Sequence, residues 1–502
     1  MKLIQVLKIF IVVLALASPG LMFIVGGAFE GFERKVQTGF PDPVSVLLPA
    51  PEPREQLADA IFERSAAKRW AIRFMNALYL HVFDFVETDT AISGSDQWLF
   101  YKPQLRAWDC DRHEALQIML NRFSLLIDLV TAADIPVVFA HAPNKASIER
   151  EFLGRRAARY SDCYFEFEQQ FADTVSAMDP RHFVDHSKVL RHAPGEKPTY
   201  LKFDTHWTWE SGLKVMNQLF ESRPGVLGIP LYQPEIKDEL VYMDILNAML
   251  LQDQEVFTPV PVSVKPGSEE ISSAQLANNV LFIHDSFYHR IFQYFVDRSP
   301  NARFQFPRPG ADVDVKENLE SADVIVVEIV QRDLLDFIWS DSYFGWGSVF
   351  AEWILEQMTT STQECNWEGR KDLLNDPSGK HTIMGNLVAT GKEPWLAGSE
   401  KSWILFQLPN DPVQGKLCLR VQLEVTEPGR TRLYFSAPGA TKRHPGFSDA
   451  FMVSKNLGRG QNTLALVLPE TFRGKWIRLD PIGHETEVAI HALDITTFDQ
   501  VE

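Results

Sequence analysis

The chain is poor in cysteine, with only Cys110, Cys163, Cys365 and Cys418 among its 502 residues. None of these form a C-x-x-C pair and no histidine cluster accompanies them, which argues against a zinc site. A basic excess is also missing. The net charge of −17 argues against a nucleic-acid binder, which would need a basic face, and a polyanionic ligand would need a local basic channel. Internal repeats and low-complexity tracts are absent. Long uncharged runs are scarce, but one stands out: no charge occurs from Ile9 until Glu30. Such a run is about long enough to cross a bilayer, which takes ~20 residues.

Lys2 and Lys8 flank the start of that run, and positive charge on the short side places it in the cytoplasm. Ala15-Leu16-Ala17 resembles a signal-peptidase site, whose cleavage would release a soluble protein. The apolar character continues through Leu21 to Val25, which favours an uncleaved anchor. The bulk of the chain is then expected in the periplasm, held at the inner membrane. An exported chain with an even cysteine count permits disulfides, and four cysteines allow three pairings. Pairing Cys110 with Cys163 and Cys365 with Cys418 keeps each bridge within one expected domain.

Length and composition suggest two or three globular domains. Residues 1–29 form the cytoplasmic start and anchor, and 30–90 a juxtamembrane spacer and helix. Pro41 to Pro53 is proline-rich and reads as extended spacer. From Arg54 to Glu87, Leu57, Ile61, Trp70, Phe74, Leu78 and Val82 recur at helical spacing and predict an amphipathic helix.

Residues 91–362 carry a βαβ rhythm. Helices are predicted over Glu114–Ala132, Phe165–Met178 and Glu210–Phe220, and strands over Ile135–Ala140, His182–Asp185, Val280–Ile283 and Val324–Val330. Continuous apolar strands alternating with helices predict an α/β domain with a doubly wound parallel sheet. Residues 363–394 lack a period and read as a linker with edge structure. From 395 to 502, short strands follow one another without helices, as in Leu417–Leu423, Thr463–Leu468 and Val488–Leu493. That texture predicts a second, smaller β-sandwich domain.

Polar residues gather just past the predicted strands. Val280-Leu-Phe-Ile283 runs into His284-Asp-Ser286, and Phe287 begins helical spacing. Ser286 thus sits at a strand-to-helix turn, where it is either a helix cap or an exposed nucleophile. Asp204-Thr-His206 precedes the helix over Glu210–Phe220. A base for Ser286 and a carboxylate to orient it complete a Ser/His/Asp set. Rival readings give Asp204 and His206 a metal, or pack His206 under Trp207 and Trp209. Lys145 and Arg332 each follow a strand end, where they could meet carboxylates or hydroxyls or form surface ion pairs.

Five motifs occur in order: Gly94-Ser-Asp-Gln-Trp-Leu-Phe100, Pro143-Asn-Lys145, Asp204-Thr-His-Trp207, His284-Asp-Ser-Phe287 and Glu328-Ile-Val-Gln-Arg332. Together they resemble the alginate O-acetyltransferase AlgX/AlgJ family of SGNH-hydrolase-like proteins, over roughly residues 30–357. The resemblance implies Ser286 as nucleophile, His206 as base and Asp204 as its orienter. Lys145 and Arg332 are implied to contact the polymer or assist its acetylation. The trailing sandwich resembles the carbohydrate-binding module of AlgX-type members, whereas an uncleaved anchor is more like AlgJ. Two residues depart from the family pattern, with His284 in place of a glycine before Asp-Ser and Gln97 in place of a glycine before Trp98.

The resemblance further implies a polysaccharide acceptor and a membrane-bound O-acyltransferase as acetyl donor. Other exopolysaccharide export proteins and the inner membrane are implied as partners. No cofactor or metal is implied. Two other functions use the same features: a polysaccharide acetylesterase with the same triad, and a non-catalytic polysaccharide-binding scaffold of an export complex.

Overall fold

The computed structural model describes chiefly residues 66–223, 279–288, 317–339, 346–374, 402–408, 416–436 and 452–497, with shorter stretches between them. The expected anchor, the proline-rich spacer and the helix beyond Tyr288 lie outside the described residues. Among the described residues, one helical stretch, Cys110–Ala133, is long and apolar enough to cross a membrane. Its apolar residues pack in the protein core.

The chain enters through α1 (Ala66–His81). The expected buried stripe of this helix is out of phase with the structure. Phe74 and Val82 are 65% and 66% exposed, while Leu80 is fully buried. Leu80 and the partly buried Ala77 point into a small core with Val86, Leu99 and Met243, and that contact sets the helix rotation.

A hairpin follows, formed by β1 (Ala91–Ser93) and β2 (Leu99–Tyr101), paired antiparallel. Asp96 and Gln97 at its turn have φ of 53° and 60°, and Trp98 N–H donates to the Ser95 carbonyl at 3.0 Å. Two positive φ values in succession match the twist of a two-residue hairpin turn. Gly94 is required by a close approach, since a Cβ there would lie 1.9 Å from the Phe152 carbonyl oxygen.

Next come α2 (His113–Ala133), β3 (Val137–Ala142), α3 (Lys145–Ile148), α4 (Asp162–Ser176), β4 (Phe183–Asp185), α5 (Trp209–Ser222), β5 (Val280–His284), β6 (Ala302–Gln305), β7 (Val324–Val330), α6 (Gln331–Trp339) and α7 (Trp346–Ser361). Five strands form one sheet in the order β4-β3-β7-β5-β6. Every pair in it is parallel.

Alternate strand residues enter two separate cores. Phe139, Ile283 and Val327 pack with α2, α4 and α7, while Ala140, Phe282 and Val326 pack with α5 and the β1–β2 hairpin. Both faces are therefore covered, which explains why the strands read as unbroken apolar runs. The expected parallel α/β sheet is present.

The C-terminal region is two antiparallel sheets. One runs Val388–Ala389, Trp395–Gly398, Thr486–Thr497, Leu417–Val425, Gly460–Leu468, with Lys371–Asp372 added onto Thr486–Thr497. The other runs Thr382–Gly385, Trp403–Gln407, Trp476–Asp480, Gly429–Phe435, Met452–Leu457. The sandwich therefore starts before residue 395. Lys371–Asp372, Thr382–Gly385 and Val388–Ala389, inside the expected linker, are sandwich strands. Two- and four-residue strands are too short to show a period, so their pattern reads as irregular.

The sandwich shares its core with the α/β domain. Trp353, Ile354 and Met358 of α7 join Leu464, Leu466 and Leu468 in one cluster. Both expected disulfides form. Cys110–Cys163 ties the start of α2 to α4 across 5.3 Å between Cα atoms, and Cys365–Cys418 spans 6.3 Å from the end of α7 to a sandwich strand.

Candidate active site

The sheet topology brings three strand ends together. Ala142 of β3 pairs with Val330 of β7, and Glu328 of β7 pairs with His284 of β5. The segments just beyond them carry Lys145, Arg332 and Ser286, at the edge where parallel sheets place ligands.

Ser286 begins the helical turn after β5. Asp285 fixes that turn by accepting Phe287 N–H at 2.8 Å with Oδ1 and Val330 N–H at 2.7 Å with Oδ2. The Phe287 amide is thereby committed and is not a free oxyanion donor. Burial pushes the Asp285 carboxyl above its usual range, and Glu328, wholly buried beside it, is pushed further still. Burial thus disfavours the charged form of Glu328 beneath the nucleophile turn. The His284 ring is buried, and its Nδ1 donates to the Asp285 carbonyl at 2.8 Å.

The Asp204 loop approaches from the other side. His206 Nε2 lies 2.8 Å from Ser286 Oγ, and His206 Nδ1 lies 2.5 Å from Asp204 Oδ1. Asp204 is wholly buried, so its charge acts through low dielectric. It also accepts His206 N–H and Asp244 N–H, both at 3.0 Å. With Nδ1–H donated to Asp204, Nε2 is left as the acceptor facing the serine hydroxyl. The rivals of a helix cap alone and a packed histidine do not account for this chain of contacts.

Asp244 was not foreseen. Its Oδ2 lies 3.6 Å from His206 Nδ1, and it accepts hydrogen bonds from the Thr205 backbone and hydroxyl. Burial and the neighbouring Asp204 push its carboxyl up. It lies 40 residues beyond Asp204 in a segment without periodic signal, so nothing in the sequence linked the two. Asp204, His206 and Asp244 also lie close enough to form a metal ligand set. Their ligand atoms, however, are already engaged in the hydrogen bonds just described.

The two expected polymer contacts separate. Lys145 is wholly buried, which corrects its expected contact with substrate. Its ammonium donates to the carbonyls of Leu99 and Leu201, both at 2.7 Å, Lys202 at 2.9 Å and Asp204 at 3.0 Å. Trp98 and Phe100 face it at 4.7 and 5.2 Å from Nζ to the ring centroids. Burial pushes its pKa down to about 7, against the opposing pull of Asp204, Asp244 and Glu149.

Arg332 stays nearer the rim, its side chain 16% exposed. It donates to Asn144 Oδ1 at 3.2 Å and lies 5.3 Å from the Tyr101 ring centroid. Gln331 Oε1 takes the Asn144 N–H at 2.9 Å, linking the ends of β3 and β7.

Residues 91–222 match the family model of the SGNH hydrolase-like domain of acetyltransferase AlgX. Over that segment the chain is similar to the AlgX family of SGNH hydrolase-like domains. The AlgX-type segment contains Asp204 and His206, while Ser286 lies beyond its matched end.

Solved structures with low similarity include the O-acetyltransferase domain of Pseudomonas putida AlgJ, with 18% identity and a TM-score of 0.32 over 49% of this chain and 92% of that one. Pseudomonas aeruginosa AlgX shows 12% identity and a TM-score of 0.31 over 82% of this chain and 94% of that one. Bacillus cereus PatB1 with a sulfonyl adduct shows 12% identity and a TM-score of 0.35 over 50% and 96%. No curated protein sequence matches the chain.

Proposed function

We propose that this protein is an O-acetyltransferase that moves acetyl groups onto polysaccharide hydroxyls through an acetyl-Ser286 intermediate. The observation that carries the proposal is the unbroken relay from Asp204 through His206 to Ser286 Oγ. It is supported by the family of the segment that supplies two of its members.

In the first half-reaction, His206 Nε2 takes the Ser286 proton while Oγ bonds to the acetyl carbon of the donor. The donor's leaving group departs with that proton. In the second half-reaction, His206 takes the proton of a sugar hydroxyl, whose oxygen bonds to the acetyl carbon. The Ser286–acetyl bond breaks, and Oγ recovers the proton. Asp204 holds the ring in the required tautomer and stabilises its cation in both halves. Arg332 faces the acceptor at the rim, where its fork suits sugar hydroxyls or carboxylates.

The proposal places the protein at the periplasmic face of the inner membrane. A membrane-bound O-acyltransferase supplies acetyl there, alongside other exopolysaccharide export proteins. An alginate-like exopolysaccharide is the proposed acceptor, and the sandwich its binding module.

The test incubates the full-length protein and its Ser286→Ala variant with nitrophenyl acetate, then with candidate polysaccharides. Intact mass and polymer-bound acetyl are measured. An acetyl adduct on the wild type alone, discharged onto polymer, is expected. Discharge only to water would make the protein an acetylesterase. Absence of any adduct would leave a polysaccharide-binding scaffold.

A further inference from the structure

We infer that Lys145 and Glu149, one helical turn apart, are positioning residues that hold the Asp204–His206 loop from below. The inference rests on Asp204, His206 and Ser286 being the reacting set.

The loop from Thr199 to His206 is buried, with Thr199, Tyr200, Leu201, Asp204 and His206 all less than a tenth exposed. It belongs to no helix; one bridge joins Tyr200 to Trp207, Thr208 N–H closes on the Thr199 carbonyl at 2.7 Å, and Leu99 N–H of β2 on the Lys202 carbonyl at 3.1 Å. Leu201 N–H also closes on the His206 carbonyl at 3.0 Å. These backbone bonds are scattered and form no continuous ladder, and the Thr199 and Tyr200 N–H groups are met by a side chain instead, as buried N–H groups require a partner.

Two buried side chains meet that requirement, one as acceptor and one as donor. Glu149 Oε1 accepts Thr199 N–H at 2.7 Å, Tyr200 N–H at 2.9 Å and the Thr199 hydroxyl at 3.1 Å. Its Oε2 lies 2.9 Å from His192 Nε2. Lys145 donates to the next carbonyls along, those of Leu201, Lys202 and Asp204, and to Leu99 of β2. The carboxyl therefore faces the donors at the start of the loop, and the amine faces the acceptors that follow.

Both side chains lie on the turn that follows β3. Glu149 N–H donates to the Lys145 carbonyl at 2.8 Å, which fixes their spacing. The end of β3 is in turn paired with β7, which is paired with the nucleophile strand β5. The bracket thus references the histidine loop to the same sheet that carries Ser286. Neither side chain is exposed to substrate, so both act only through the loop.

The full-length wild type, Lys145→Met, Glu149→Ala and Glu149→Gln are compared in two ways. The first is the rate and KM of Ser286 acetylation by nitrophenyl acetate. The second is amide hydrogen exchange at residues 199–206 against β3. Met removes the donor at similar length. Gln keeps an acceptor oxygen for Thr199 and Tyr200, whereas Ala does not.

Lys145→Met and Glu149→Ala should each slow acetylation by about 10- to 100-fold with KM within about twofold, the scale expected for sub-ångström misplacement of a catalytic group. The loop amides should lose protection while β3 keeps it. Glu149→Gln should remain within about threefold of wild type. Wild-type rates and unchanged loop exchange in Lys145→Met and Glu149→Ala would overturn the inference. An equal loss in Glu149→Gln and Glu149→Ala would overturn it too, since the acceptor alone would then be irrelevant. If Lys145→Met fails to fold, the two Glu149 variants decide. If even the wild type is not acetylated at Ser286, the proposed function fails, and the exchange data still judge the bracket.

Discussion

Replacing Asp204 with asparagine preserves the shape of a wholly buried side chain and removes its charge. The carboxylate accepts three N–H groups: His206 N and Nδ1 on Oδ1, and Asp244 N on Oδ2. An asparagine has a single acceptor oxygen. With that oxygen in the Oδ1 position, both His206 contacts survive and the Asp244 amide faces an NH₂ group. A charge-assisted hydrogen bond to the imidazole, worth roughly 1.5–3 kcal/mol, becomes a neutral one worth roughly 0.5–1.5. The difference of about 1–1.5 kcal/mol corresponds to about a 5- to 10-fold slower reaction.

In the opposite flip, Nδ1–H loses its acceptor and the ring can take the tautomer with a proton facing Ser286. The same exchange costs about 10⁴ in the serine-protease triad. Asp244 limits the damage, because its Oδ2 already lies 3.6 Å from Nδ1 and can accept that proton. The expected loss for Asp204→Asn is therefore about 10- to 100-fold, between the two extremes. Adding Asp244→Asn should cost about tenfold more than the product of the single effects.

The assay is the burst rate of nitrophenolate release, which reports Ser286 acetylation alone. An Asp204→Asn rate within about twofold of wild type would refute Asp204 as the orienting group. A double variant equal to the product of the single variants would refute Asp244 as its reserve.

Two further outcomes follow from groups outside the relay. Gln97 holds φ of 60° beside Asp96 at 53°, so Gln97→Gly should stabilise the protein by about 0.5–1 kcal/mol in urea unfolding; an unchanged or lowered midpoint would contradict the strained turn. Burial pushes His186 from 6.5 down to about 4, with Nε2 2.6 Å from Tyr288 Oη and Nδ1 2.9 Å from Gln218 Oε1. Its contribution is complete above pH 6.5 and is lost as pH falls towards 4, which amounts to about 2 kcal/mol between pH 7 and 5. His186→Gln should flatten the pH dependence of stability by that amount, and an unaltered slope would count against a neutral buried ring.

Much of the fold was legible because the parallel sheet is covered on both faces. Val324–Val330 is wholly buried, and an unbroken apolar run is the trace such burial leaves in a sequence. The relay was legible because its members lie at element boundaries, Ser286 after β5 and His206 just before α5. Rotation of α1 was not legible. A stripe at helical spacing predicts a buried face, but the helix end meets its small core through Leu80 instead. The sandwich boundary was hidden for a related reason: strands of two to four residues cannot display alternation. Asp244 was hidden because its contact with Asp204 joins segments 40 residues apart, neither of which carries a pattern requiring the other.

Lys145 and Arg332 show where a sequence argument based on strand ends stops. Each is a cation just past a parallel strand, and the two strands are neighbours with Ala142 opposite Val330. The same reasoning assigned both to substrate. What separates them is the backbone beneath. Under Lys145 runs a buried loop that turns several carbonyls towards it, and an amine head with several N–H groups meets them at once. Around Arg332 there is a partly open rim, an aromatic face, one amide oxygen and the Asp333 carboxylate, 3.5 Å from Nε. The number of buried acceptors around a residue depends on which distant segment folds against it. A cation's place along the chain therefore locates the site but does not tell support from contact. That distinction comes from asking, for each buried carbonyl near the site, which donor it has.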